Sequence, residues 1–206
     1  KLVCIHGRES GFKDGYYSDM YRTTRNVDIN TYDLLIDRLT ELGYIVFRLG
    51  DQWMQKVPYL IKKYEPNFLD YAHSDFKSQI MDIYLLSHCD FLIGCSSGPS
   101  EISNIFKINT LILNGYPAVN SLRHMNGDIS IFKKVVDIKT KKVTSLESLF
   151  SNPLDISFQI KGLNKLGFEL QDNSIEEILE ALEDFLVIKN YPNAIHRHSS
   201  QCKSLF

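Results

Sequence analysis

Short apolar runs alternate along this chain with longer stretches whose apolar positions recur at helical spacing. Leu2-Val3-Cys4-Ile5, Tyr44 to Leu49, Phe91-Leu92-Ile93-Gly94 and Thr110-Leu111-Ile112-Leu113 are the clearest runs, and Asn67 to Tyr71 is a weaker one. Runs this short and this uniformly apolar suit strands buried on both faces. Between them, Ile29, Tyr32, Leu35, Ile36, Leu39 and Leu42 form a helical stripe, and Gly43 follows as its stop. Phe76, Ile80, Ile83 and Leu86 mark a second helix with Ser74 or Asp75 as its cap, and Pro99 to Lys107 a third. Ser174-Ile175-Glu176-Glu177 is a capping box; it opens a final helix with Ile175, Ile178, Leu179, Leu182 and Phe185 inward.

Strands alternating with helices predict an α/β fold: a Rossmann-like parallel sheet flanked by helices. Ligands of such sheets bind outside the carboxyl ends of the strands, so the strand-to-helix turns are the places to search. Residues 1–190 are read as this one domain and residues 191–206 as a tail. The stretch from Tyr116 to Leu149 is less regular. It holds a strand-like run from Ile131 to Ile138, a polar turn at Lys139 to Lys142, and a short helical signal from Ser145 to Phe150. Because Lys1 leads straight into a buried strand, a preceding domain outside this chain is expected.

Composition narrows the class. A hydrophobic share of 44% in 206 residues suits an ordinary globular core. A net charge of -2 carries no basic footprint, so no nucleic-acid partner is expected. No apolar run is long enough for a transmembrane helix, and the expected location is the cytoplasm. Cys4, Cys89, Cys95 and Cys202 form no C-x-x-C pair and read as reduced, buried thiols.

Two turns carry candidate chemistry. The first strand ends in His6-Gly7-Arg8-Glu9. A His and an Arg two residues apart at a strand end can address one anion, Arg in a bidentate way, and Gly7 between them lets a ligand approach the backbone. Glu9 is the local candidate for a general base, or else a structural partner of Arg22 or Arg25. The second turn, Cys95-Ser96-Ser97-Gly98-Pro99, leaves an apolar strand and opens a helix with Pro99 in its first position. Hydroxyls at Ser96 and Ser97, the small Gly98 and the helix N-terminus together make a phosphate cradle. No Gly-Lys-Ser/Thr follows, so this is not a P-loop, and there is no G-x-G-x-x-G fingerprint. Ser74, Lys77 and Ser78 crowd a third strand-to-helix turn. Asp82 follows beside an apolar stripe, where it can meet a base, a ribose or a nearby Lys.

These residues resemble two related groups. His6-Gly7-Arg8 is similar to the H-x-R motif of fucosyltransferases that use GDP-fucose. Met81 to Ser97 resembles their later motif, in which an Asp-bearing helix leads through a strand into a Ser-rich turn. Arg25-Asn26-Val27-Asp28-Ile29, Gly50-Asp51 and Tyr71 to Ile83 resemble motifs of bacterial glycosyltransferases found with surface-polysaccharide genes. The likeness covers roughly residues 3 to 117. It implies the C-terminal, nucleotide-sugar-binding half of a GT-B enzyme, with His6 and Arg8 on the donor diphosphate, Asp82 on the base and Ser96 or Ser97 on phosphate. Glu9-Ser10-Gly11 replaces the Thr-Asp that follows the fucosyltransferase Arg, which leaves the nucleotide open, with a GDP-sugar favoured.

The expected function is transfer of a sugar from a nucleotide-sugar donor to a glycan or lipid-linked glycan acceptor in surface-polysaccharide synthesis. The donor is a substrate, and no cofactor is expected. There is no D-x-D sequence, so no obligatory metal is expected. Membrane association, if any, is peripheral and through parts outside this chain. The alternatives are a polysaccharide pyruvyltransferase-like enzyme and a non-catalytic nucleotide-sugar-binding module.

Overall fold

The computed structural model describes residues 1–9, 23–121, 127–145, 147 and 160–190. The tail, Cys202, Arg22 and most of the helical signal at Ser145 to Phe150 lie outside them. Six parallel strands form the central sheet: β1 (Leu2–Ile5), β2 (Ile45–Arg48), β3 (Phe68–Leu69), β4 (Phe91–Gly94), β5 (Thr110–Gly115) and β6 (Ile129–Phe132). Their order is β3-β2-β1-β4-β5-β6. This is a Rossmann-like sheet. Its order reverses between β1 and β4, where the flanking crossovers leave to opposite faces and open a crevice.

Alternation along each strand divides the core. Val3, Ile5, Val46, Phe91, Ile93, Leu111 and Leu113 face a layer made by α1 (Asp33–Glu41), α2 (Pro58–Tyr64) and a long C-terminal helix, Ile175–Asn190. Cys4, Phe47 and Leu92 face the opposite layer of α3 (Gln79–His88) and α4 (Gly98–Ile105). The C-terminal helix is pinned by Phe185, whose ring lies 5.1 Å from that of Phe91. Its capping box forms as the sequence predicts: Ser174 N–H donates to Glu177 Oε2 at 2.9 Å and Glu177 N–H to Ser174 Oγ at 3.4 Å. Gly43, at φ 79, ends the first helical stripe, which begins as a 3₁₀ turn, Ile29–Tyr32, capped by Asp28.

Several expectations are corrected. The cap of α3 is Ser78, whose Oγ accepts from Met81 N–H at 3.2 Å; it is neither Ser74 nor Asp75. Phe76, Ile80 and Ile83 are 58%, 82% and 47% exposed, while Leu85 and Leu86 turn inward. Ile80, Met81, Ile83, Tyr84, Leu85 and Leu86 make α3 apolar almost all round, so periodicity alone could not choose its buried face. The run from Ile131 to Ile138 is two strands. Its first half belongs to β6, and its second forms β7 (Lys134–Asp137), which pairs antiparallel with β8 (Phe168–Gln171) in a separate sheet. Lys133 at the break is buried, donating to Asn26 O at 2.7 Å and pairing with Asp172 at 2.6 Å. The short helices α5 (Ala118–Ser121) and α6 (Ile160–Lys165) and the C-terminal helix, α7, complete the described elements. Among them, none is long and apolar enough to cross a membrane.

Candidate functional site

The reversal in strand order sets the site. Beyond the last ladder residues, His6 N–H donates to Ile93 O at 2.9 Å and Leu49 N–H to Ile5 O at 2.8 Å. The three chains therefore leave the sheet side by side. A cavity of about 620 Å³ opens above them, lined by His6, Arg8, Glu9, Lys77, Asp82, Ser96, Ser97 and Gly98 from the expected set. Ser74 and Ser78 are absent from its lining. Ser74 Oγ donates to Tyr71 O at 2.9 Å, and Ser78 is spent on the helix cap.

His6 lines this cavity and is half-buried. Burial, with Arg8, Arg48 and Lys77 nearby, lowers its imidazole from 6.5 to about 4. It is therefore neutral near neutral pH and can offer a ligand one N–H rather than a positive charge. Its Nδ1 lies 3.0 Å from Ser97 Oγ. Ser97 has extended backbone and precedes α4, so Gly98 is the first helical residue and Pro99 the second, not the first. A Cβ built on Gly98 would meet nothing within 4 Å, so the helix start faces open space.

Ser96 has a different occupation. Ser121 Oγ donates to Pro117 O at 2.8 Å, so the short contact between Ser96 Oγ and Ser121 Oγ uses the Ser96 proton. Ser96 then has no proton to give a phosphate, and the Ser97 proton is shared between Cys95 O at 3.2 Å and His6 Nδ1, so the donors left at this turn are the backbone N–H groups. Gly94-Cys95-Ser96-Ser97-Gly98 also has the G-x-S-x-G spacing of a hydrolase nucleophile elbow. The geometry argues against one. Ser96 Oγ is buried against Ser121, its φ is not positive, and His6 meets Ser97 instead.

Glu9 is likewise occupied. Its Oε1 accepts from Arg48 Nη2 at 2.8 Å and its Oε2 from Gln55 N–H at 3.0 Å. Its partner is thus Arg48, not Arg25. The fully buried Arg48 also donates to Asp70 Oδ1 at 2.9 Å and Gln55 O at 2.8 Å, and Asp70 Oδ2 meets His73 Nδ1 at 2.8 Å. Glu9 lines the cavity, and the cluster behind it holds the loop that carries Gly50, Asp51 and Met54 into the wall. Asp82 is paired too: the Lys77 ammonium grips both of its carboxylate oxygens. A base recognised by Asp82 must share it with Lys77 or displace that ammonium.

No protein-family model, curated protein or solved structure matches the chain.

The site therefore rests on its own geometry. Sequence reasoning placed no ligand role on Arg25, Asp51, Met54, Glu101 or Pro117, all of which line the cavity. Gly7 shows why Arg25 arrives there. A Cβ on Gly7 would lie 2.8 Å from Val27 Cγ2, so this glycine makes room for the 23–29 segment, not for a ligand. Val27 N–H then donates to Arg8 O at 2.8 Å. The signal for Arg48 was present: an arginine inside the apolar run Ile45 to Leu49 requires buried partners. Cys4, Cys89 and Cys95 are free and buried.

Proposed function

We propose that this chain is the nucleotide-sugar-binding domain of a GT-B-type glycosyltransferase, holding the donor diphosphate against Arg8, His6, Ser97 and the start of α4. The observation that carries the reading is the placement of Arg8, the neutral His6 and an unobstructed helix N-terminus around one cavity at the point where strand order reverses. In sheets of this order that crevice is where nucleotides bind. A bidentate guanidinium and helix N–H groups are matched to phosphate. Cleavage at the anomeric carbon releases a nucleoside diphosphate, and groups that stabilise its growing charge lower the barrier. Arg8 supplies charge, His6 supplies one neutral N–H when Ser97 donates to its Nδ1, and α4 supplies backbone N–H groups and its dipole. The acceptor's proton goes to a base other than Glu9, both of whose oxygens are held; Asp51 and Glu101 line the same cavity. The favoured donor is a GDP-sugar and the acceptor a glycan.

Calorimetric titration with GDP, UDP, ADP, CMP and phosphoenolpyruvate tests this. One nucleoside diphosphate should bind at micromolar strength, and Arg8→Ala should weaken it at least about tenfold, roughly 1.4 kcal/mol. Binding of phosphoenolpyruvate alone would favour a pyruvyltransferase-like enzyme. Binding of no compound would overturn the donor-site reading for this domain.

A further inference from the structure

We infer that Arg25 is a second phosphate ligand of this cavity and contacts the phosphate distal to the nucleoside; the inference rests on the donor-site reading above. Two observations support it. Arg25 lines the cavity with Arg8 and Gly98. Its Nη1 donates to Ser96 O at 3.3 Å, which ties the guanidinium to the β4–α4 turn. A guanidinium fixed beside a second arginine and a helix start is suited to take an anion through its outer N–H groups.

Topology says which end of the donor it meets. Asp82 lies on α3 and Lys77 just before it, on the face of the sheet whose core includes Leu85, Leu86 and Leu92. Arg25 comes from the segment that leads into α1 on the opposite face, packed in the core that includes Val27 and Ile29. Arg8 and the start of α4 lie at the junction between the two faces. A nucleoside seated by Asp82 therefore runs its phosphates past Arg8 and Gly98 toward Arg25. The Gly7–Val27 contact and the Val27–Arg8 hydrogen bond hold the second arginine beside the first.

Calorimetry with GDP and with GMP, on wild type and on Arg25→Gln, tests the assignment. Glutamine removes the charge and, being shorter, also gives up the bond to Ser96 O; a role confined to that bond would weaken both nucleotides alike. Loss of a charge-assisted contact to the distal phosphate should weaken GDP about tenfold or more and GMP less than about threefold. Equal weakening, or none, overturns the Arg25 assignment while the donor site stands. If UDP or ADP is the diphosphate that binds, it and its own monophosphate take the place of GDP and GMP; failure of the wild type to bind any nucleoside diphosphate overturns the donor-site reading and this inference together. A thermal unfolding curve on the variant separates a lost contact from a lost fold.

Discussion

Replacing Arg48 with methionine removes the cation that bridges two buried carboxylates, Glu9 and Asp70, whose side chains are 7% and 3% exposed. Asp70 keeps His73 as a partner, and among the described residues Glu9 keeps the Gln55 N–H. Breaking a buried ion pair from one side strands a charge and typically costs about 3–5 kcal/mol. That is a large part of the roughly 5–15 kcal/mol that stabilises a folded protein. Urea unfolding at pH 7, followed by far-UV circular dichroism, measures it. Trp53 is a poor reporter because it is mostly exposed in the native chain. The comparison that isolates the cause is Glu9→Gln/Arg48→Met/Asp70→Asn, which removes the stranded charges as well and should recover most of the loss. If Arg48→Met unfolds within about 1 kcal/mol of wild type, the cluster is hydrated and the account of it as a buried support behind Glu9 is wrong.

Other predictions follow from the same geometry. Because His6 is lowered to about 4 from 6.5, it stays neutral in the folded chain at pH values where the unfolded chain binds a proton. Its contribution to stability is therefore complete above about pH 6.5 and lost as pH falls through about 4, a total of about 3 kcal/mol; His6→Gln should flatten that part of the pH–stability curve. Phe185→Ala, at a fully buried ring packed on Phe91, should cost about 3–5 kcal/mol in chemical denaturation. Gly7→Ala should cost about 1–3 kcal/mol, because Val27 is short and branched and the 23–29 backbone must move. A thermal scan that matched wild type would remove Gly7 as the reason Arg25 reaches the cavity.

The sheet was legible because its strands announce themselves: β1, β2, β4 and β5 are apolar on both faces and separated by polar, capped segments. The helix caps at Ser174 and Gly43 were legible for the same local reasons. What the sequence hid was set by distant contacts. The face that α3 buries depends on the sheet beneath it, and the break at Lys133 depends on Asn26 and Asp172, far away in the chain. In the site, the strand-end position of His6 and Arg8 could be read from their neighbours. The commitments of Ser96 to Ser121, Glu9 to Arg48 and Asp82 to Lys77 could not, because hydrogen-bond partners are chosen by tertiary packing. Arg25 stood within a motif already noted, and only the Gly7–Val27 contact gave it a place beside Arg8.

The most direct test of the donor-site account is a crystal structure of the chain with the nucleoside diphosphate that binds best in calorimetry. The account predicts phosphate oxygens within hydrogen-bond distance of the Arg8 guanidinium and the Gly98 N–H, with the base toward Asp82. A diphosphate bound elsewhere, or a nucleotide reversed so that its base covers Arg8, would contradict it.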